Sequence, residues 1–473
     1  MSSRIPQAAS NQTAASRYRL LFGALFGTFL GLSMLKFGNP AIMERWVSAP
    51  SDVYEFILLG PWPMSWAYLL LGIILLASIP VLRWEIPARR WLILLPLVWC
   101  CWQLVAAVGT RDPYLTGYTV KHFIATVFCF YLGFFGLSGV RHPGGFWLAL
   151  ISCFLLVLAA GWSQHFGGLD QTRRYFFLYI YPQMKEVPPE YLKKMASNRI
   201  FGTLFYPNTL AGVIILLLPP ILVVLWNMRR WMTGPARGFL VGCAGVGALS
   251  CLYWSGSKGG WLLMLLLALL GMLRMPFSQK LKSLTVAVVL LAGIAGFAIK
   301  YRAFFEKGAT SVVARLDYWR AALVISRSHP WLGTGPGTFG AAYQDVRDPR
   351  SEPARLVHND YLQQLSDSGV MGCVTYTGFV AAALVCCFPR ISSRGGKTAA
   401  PGDVAEVDSE AEKAEGRYRF GVWIGLFGWF VQGLFEFSLY VPGSAWVAFA
   451  LLGYLLARSA QDPKGMDKAS LPW

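Results

Sequence analysis

A chain of 473 residues that is 55% hydrophobic, 15% aromatic and only 14% charged, with 48 Gly and 19 Trp, is too apolar for a soluble domain of its size. It reads as an all-α, polytopic membrane protein. The formal net charge of +18 would suit a nucleic-acid binder, but cations retained on the inner side of a membrane account for most of it, so no nucleic-acid partner is expected.

Apolar runs able to form helical spans of about 17 to 25 residues occur near 20–38, 65–82, 91–109, 117–139, 145–162, 208–226, 239–255, 259–273, 284–300, 370–388, 419–436 and 443–457, about twelve in all. The first follows Arg17 and Arg19 without a small-residue cleavage site before Lys36, which reads as a retained anchor. With the N-terminus inside, the short inner connections hold Arg83, Arg89, Arg90, Arg141, Arg229, Arg230, Arg237, Arg274, Lys280 and Lys282, whereas the short outer turns hold little beyond Arg111 and Lys258. An even number of spans then returns the C-terminus to the same side, with Arg458, Lys464 and Lys468 on the tail.

The expected organisation is an N-terminal bundle of about five spans over 1–162, a long outer loop over 163–207, spans over 208–300, and a second long outer loop over 301–369. The remaining spans fill 370–473, interrupted by a solvated cytoplasmic linker at 390–418. The cations of the two long outer segments are not explained by topology. Arg173, Arg174, Lys185, Lys193, Lys194 and Arg199 lie in the first, and Arg302, Lys307, Arg315, Arg320, Arg327, Arg347, Arg350 and Arg355 in the second. They suit either an anionic ligand or lipid head groups.

All nine cysteines fall in or beside apolar runs, and none has metal-ligand spacing. The outer segments hold no Asp-any-Asp pair of the kind that commonly ligates a divalent metal, so neither metal nor cofactor is expected. Among the histidines, His165 and His329 read as loop residues, His122 as a helix contact, and His142 as lying on the inner side.

Within 301–369, Ser311 can cap a helix bearing Val312, Leu316, Trp319 and Leu323 at helical spacing. The helix ends at His329-Pro330, and Gly333-Thr-Gly-Pro-Gly337 then forms a tight turn whose amides either approach a ligand or serve only the chain. Asn359 to Ser368 reads as a short helix stopped by Gly369, which fixes the orientation of His358 beside its N-terminus.

These pieces, in this order, resemble the O-antigen ligase and polymerase superfamily of membrane glycosyltransferases. The matching segments are Arg199-Ile-Phe-Gly-Thr-Leu-Phe-Tyr-Pro-Asn208, Ser255-Gly-Ser-Lys-Gly-Gly260, Arg315-Leu-Asp-Tyr-Trp319, Trp331-Leu-Gly-Thr-Gly-Pro-Gly337, and His358-Asn-Asp-Tyr-Leu362 with Gly369-Val-Met-Gly372. The resemblance covers roughly 195–390, and the N-terminal third shares only hydropathy. It implies a bacterial inner-membrane enzyme, both termini cytoplasmic, whose outer cavity opens sideways to membrane lipids. Such an enzyme moves a glycan from a polyprenyl-diphosphate carrier to a saccharide acceptor such as lipid A-core or a growing chain. It also implies that Arg199, Lys258 and Arg315 hold the donor diphosphate, Lys258 standing where many relatives carry Arg, and that His358 is the acceptor-activating base. Asn208, Asp360 and Glu436 form a second tier.

Each assignment has a plainer counterpart: His358 as a helix-capping interfacial histidine, Arg199 as an anchor beside Tyr206, and Lys258 as a snorkelling residue. Two other functions compete with saccharide transfer. A protein O-oligosaccharyltransferase would share the donor side, and the brief stretch after the last span, 458 to 473, favours saccharide acceptors over it. A lipid-linked oligosaccharide transporter would carry its ionisable residues near mid-membrane, whereas here they gather at the outer edge.

Overall fold

The computed structural model describes residues 5–59, 61–84, 91–140, 143–183, 192, 196–229, 231–275, 278–306, 310–349, 351–389 and 403–460. His142, Arg89, Arg90, Arg141, Lys185, Lys193, Lys194, Arg230, Lys307, Arg350, Lys464, Lys468 and the linker stretch 390–402 lie outside the described residues.

Among the described residues all regular structure is helical. The principal helices are α1 (Ile5–Lys36), α2 (Met64–Ser78), α3 (Trp91–Ala106), α4 (Pro113–Tyr131), α5 (Gly144–Ser163), α6 (Leu169–Tyr175), α7 (Pro207–Asn227) and α8 (Gly234–Trp254). They continue with α9 (Lys258–Arg274), α10 (Gln279–Glu306), α11 (Thr310–Ser328), α12 (Phe339–Val346), α13 (Asp360–Cys386), α14 (Asp403–Gln432) and α15 (Pro442–Ala460).

All twelve expected spans fall on helices, and nine helices among the described residues are long and apolar enough to cross a membrane. The segments at 259–273, 419–436 and 443–457 are the other three. Helix α9 has only 17 residues, about 25 Å at 1.5 Å per residue against a hydrocarbon core of about 30 Å. The first half of α14 is charged, and α15 opens on Pro442, Gly443 and Ser444 and carries Arg458.

Helix α15 is nevertheless the centre of the bundle. From Pro442 to Arg458 every residue is buried, as expected of a helix apolar on all faces. Small residues let its neighbours close in: a side chain at Gly453 would strike the Phe130 carbonyl of α4, and one at Gly133 the Ala450 carbonyl. The same device joins α1 to α5, where Gly27 faces the Phe146 backbone.

Among the described residues, the two long segments expected on the outer side are largely helical rather than open loops. Helix α5 runs on through a kink at Phe166 and Gly167 into α6 and further turns up to Gln183. Helix α10 reaches Glu306, and α11 starts at Thr310, so Ser311 lies inside the helix instead of capping it. Tyr318, Ala322, Ile325, Phe339 and Tyr343 from α11 and α12 join Val357 in a small core of their own.

That cap is fastened to α13 by one buried carboxylate. Asp367 accepts the Gly337 amide at 2.8 Å, the Phe339 amide at 3.0 Å and the Gln363 side-chain amide at 2.8 Å, while its carbonyl takes the Gly335 amide at 2.9 Å. The Thr334 amide goes to the Ser366 carbonyl at 3.1 Å. The amides of the glycine turn therefore serve the fold and not a ligand. Gly335, at φ 106, also packs so close to Thr110 that no side chain fits.

Candidate functional site

The site is built where three helices begin. Helix α13 starts at the cap expected from sequence: the Asn359 side chain accepts the Tyr361 and Leu362 amides at 3.0 Å each. Gly369, at φ 69 and ψ −172, breaks the helical path after Ser368 as anticipated, although helix resumes beyond it. His358, just before the cap, holds a left-handed backbone with φ 55. Phe205, just before the Tyr206 cap of α7, does the same with φ 57. These are the only non-glycine residues with positive φ among the described residues. Such strain persists only where the surroundings impose it.

Arg199 is delivered by a fixed strap. Gln164, at the end of α5, accepts the Phe201 and Gly202 amides at 2.9 and 2.8 Å and donates to the Gly202 carbonyl at 2.8 Å. Thr203 is tied to the Met34 carbonyl at the end of α1. From this strap Arg199 donates through Nε to the Ser255 carbonyl at 2.7 Å and through a terminal nitrogen to Asn208 Oδ1 at 2.8 Å. Ser255 belongs to the turn between α8 and α9, where Gly256 has φ 62, and Lys258 opens α9 after the Ser257 cap.

Glu436 draws the pieces together. It lies in the turn between α14 and α15, only 5% exposed. Its Oε1 accepts from Asn208 Nδ2 and from Arg315, both at 2.5 Å, and its Oε2 lies 3.4 Å from His358 Nδ1. Burial alone would raise its carboxyl, but Arg315, His358 and Arg199 outweigh burial and hold it below its ordinary value. Lys258 is pushed down to about 8, first by burial and then by Arg199 and Arg315.

Four of the seven expected residues, Arg199, Asn208, Arg315 and His358, thus join Glu436 in one hydrogen-bonded and ionic cluster, with Lys258 beside it. Asp360 acts differently. Its carboxylate accepts the Leu439 amide and its own amide donates to the Gly433 carbonyl at 2.7 Å. It sets the position of the turn that carries Glu436.

His358 is packed by Phe437, edge-on at 4.7 Å, and by Tyr318, near-parallel at 5.9 Å. Phe437 was not singled out from sequence, and Tyr318 only as part of the Arg315–Trp319 segment, because rings in an apolar chain carry no distinguishing local signal. The Nε–H of Arg315 is buried with no acceptor among the described residues, and so is the indole Nε1–H of Trp319 four residues on. That spacing sets both on one side of α11.

Arg173, His165 and His122 have structural posts. Arg173 is occupied with Asp170, the Ser197 carbonyl and Asn198. His165 stacks on Trp254 at 3.9 Å. His122 is a buried helix contact, as expected, with Nε2 at 2.8 Å from the Leu439 carbonyl and Nδ1 accepting from Trp446. No cluster of three or more potential metal ligands occurs among the described residues.

Residues 243–377 match the family model described as O-antigen ligase. Over that segment the chain is similar to the O-antigen ligase family. This supports the resemblance to the O-antigen ligase and polymerase superfamily, and with it a multi-pass membrane protein of cell-surface polysaccharide assembly with glycosyltransferase-like activity in general. No curated protein matches the chain. Lys258, Arg315, His358 and Asp360 lie inside the O-antigen ligase segment, whereas Arg199, Asn208 and Glu436 lie outside it and are joined to it by geometry alone.

Proposed function

We propose that the protein transfers a glycan from a polyprenyl-diphosphate carrier to a saccharide hydroxyl at the periplasmic face of the bacterial inner membrane, as an O-antigen ligase or polymerase. The observation that carries this reading is the cluster itself: three cations and one histidine around a single buried carboxylate, with the Arg315 Nε–H lacking an acceptor among the described residues. The helix starts at Pro207, Lys258 and Asp360 add the positive ends of three macrodipoles. Cations at helix N-termini are electrostatically costly without an anion, and Glu436 supplies only part of that charge. A diphosphate supplies the rest.

The chemistry follows. The acceptor oxygen attacks the anomeric carbon, the bond to the diphosphate oxygen breaks, and Arg199, Lys258 and Arg315 neutralise the charge that grows on the leaving group. His358 receives the acceptor proton at Nε2 while its Nδ1–H faces Glu436, whose negative charge stabilises the imidazolium.

Purified protein reconstituted with a polyprenyl-diphosphate glycan and candidate acceptors tests the proposal. Release of polyprenyl diphosphate in step with glycosylation of a saccharide is the expected result. Movement of intact donor across the bilayer, or glycan found on protein hydroxyls, would refute it. Single-cysteine labelling tests the orientation: residue 358 should react from the periplasmic side, with both termini cytoplasmic.

A further inference from the structure

The apolar helix Gly144–Tyr179, 36 residues long, is longer than a membrane span requires. Its first part, α5, has 20 residues, which at 1.5 Å per residue extend about 30 Å and cross the hydrocarbon core by themselves. Beyond it come the kink at Phe166 and Gly167, then α6 and helical turns as far as Gln183. We infer that residues 169–183, together with residues 53–57, form an anchor embedded in the lipid leaflet on the Glu436 side, and that this anchor holds Arg199 at its depth through Arg173.

Two ties bring α6 down to the level at which the spans end. Continued upright, the helix would lift Tyr175, twelve residues beyond Ser163, about 18 Å above the end of α5. Its hydroxyl instead donates to Glu55 Oε1 at 2.7 Å. The next two carbonyls along, those of Phe56 and Ile57, accept from the Trp62 indole at 3.1 Å and from Lys36 Nζ at 2.9 Å. Trp62 is bonded in turn through its amide to the Lys36 carbonyl, where α1 ends. The second tie is Arg173, which donates to the Ser197 carbonyl and to Asn198 Oδ1, both at 2.7 Å. Those residues lead into the strap that Gln164 and Thr203 fasten to the ends of α5 and α1.

At that level the two segments present apolar side chains outward. Val53 is 72% exposed, Leu178 67% and Ile57 60%, with Phe177, Tyr179 and Tyr181 exposed as well. In water such a surface costs free energy in proportion to its area, whereas acyl chains cover it without that cost. Lipid reaches it by continuity: exposed Leu155 and Leu156 put α5 itself at the lipid surface, and the chain passes from α5 directly into α6. The junction carries the rings that gather where hydrocarbon meets head groups, His165 stacked on Trp254 at 3.9 Å and Trp162 against the same indole at 5.0 Å. Tyrosine suits that depth too, an apolar body with a hydroxyl for the wet side.

Arg199 follows Asn198 directly, so the anchor and this cation form one connected unit. A diphosphate held at head-group level in the same leaflet meets Arg199 at its own depth. That the anchor serves the donor rests on the transferase reading; its contact with lipid does not.

Spin labels test the contact. They are placed at Leu178→Cys, Ile57→Cys and, as a lipid reference in α5, Leu156→Cys, each in the full-length protein freed of its native cysteines and held in phosphatidylcholine nanodiscs. Labels at 178 and 57 should collide with oxygen in preference to a water-soluble nickel chelate, as the label at 156 does. Preference for the nickel chelate at either position puts the segment in water and overturns the anchor. Protection from both reagents, which a covering second copy of the chain would give, overturns it as well.

The positioning role is read from kinetics. Arg173→Ala releases Ser197 and Asn198 and should raise donor KM by about tenfold with acceptor KM unchanged, and Arg173→Lys should recover part of the loss. Wild-type donor KM in Arg173→Ala, or a fall in kcat alone, overturns that role. If the wild-type protein performs no transfer while the labels still report lipid, the transferase reading fails and the anchor stands.

Discussion

Lys258 offers a direct test of the donor site, because its charge is lost within an accessible pH range. Burial beside Arg199 and Arg315 pushes its ammonium from an ordinary value of 10.5 down to about 8. A group titrating there keeps its proton in roughly one molecule in ten at a pH one unit higher. If the ammonium contacts the diphosphate, kcat/KM for the donor should decline by about tenfold per unit above that point, since this quantity reports ionisations of the free enzyme. Lys258→Arg remains charged throughout, so its alkaline limb should vanish while its activity near neutrality stays close to wild type. The assay is donor kcat/KM measured from about pH 6.5 to about pH 9.5 in both proteins. The unfolded chain binds this proton more tightly than the folded one, so Lys258's own contribution to stability rises with pH from about 8 towards 10.5 as activity falls. An alkaline limb identical in Lys258→Arg, or a flat wild-type profile, would refute the reasoning.

Other variants probe the remaining parts. His358→Gln and His358→Ala should lower kcat by about 10²–10⁴-fold, the usual worth of general-base assistance, with donor binding intact in equilibrium measurements; near-normal turnover of His358→Gln would remove the base. Glu436→Gln keeps the shape but leaves Arg315 without its charge partner, and breaking a buried pair costs about 3–5 kcal/mol. Both kcat and thermal stability should fall, and a variant that loses neither would show that the carboxylate does not organise the site. Arg199→Ala should raise donor KM more than Arg199→Lys does, and equal effects would assign the arginine to anchoring. Gly256→Ala forces an alanine into φ 62 with its methyl 3.2 Å from Arg199 Nε. It should therefore resemble Arg199→Ala in donor KM, and wild-type kinetics would show that the turn tolerates the change.

The helical membrane character of this chain was legible because hydropathy is a local property: each run carries its own signal. The same holds for the start of α13, where Asn359 caps the first turn and Gly369 breaks it, since both act within a few residues. Arg199, Lys258, Arg315 and His358 are candidates singled out by short segments of ordered sequence. Whether they converge was not readable, nor was the place of Glu436, which stands 228, 121 and 78 residues from Asn208, Arg315 and His358. A carboxylate at the end of an apolar run looks the same whether it meets head groups or three cations. Only packing decides its surroundings, and the surroundings set its charge. The glycine turn teaches the same lesson in reverse: its pattern suited a ligand, but Asp367, some thirty residues on, accepts the Gly337 and Phe339 amides. Local chemistry was written in the sequence; which groups face one another was decided by the way the helices close around α15.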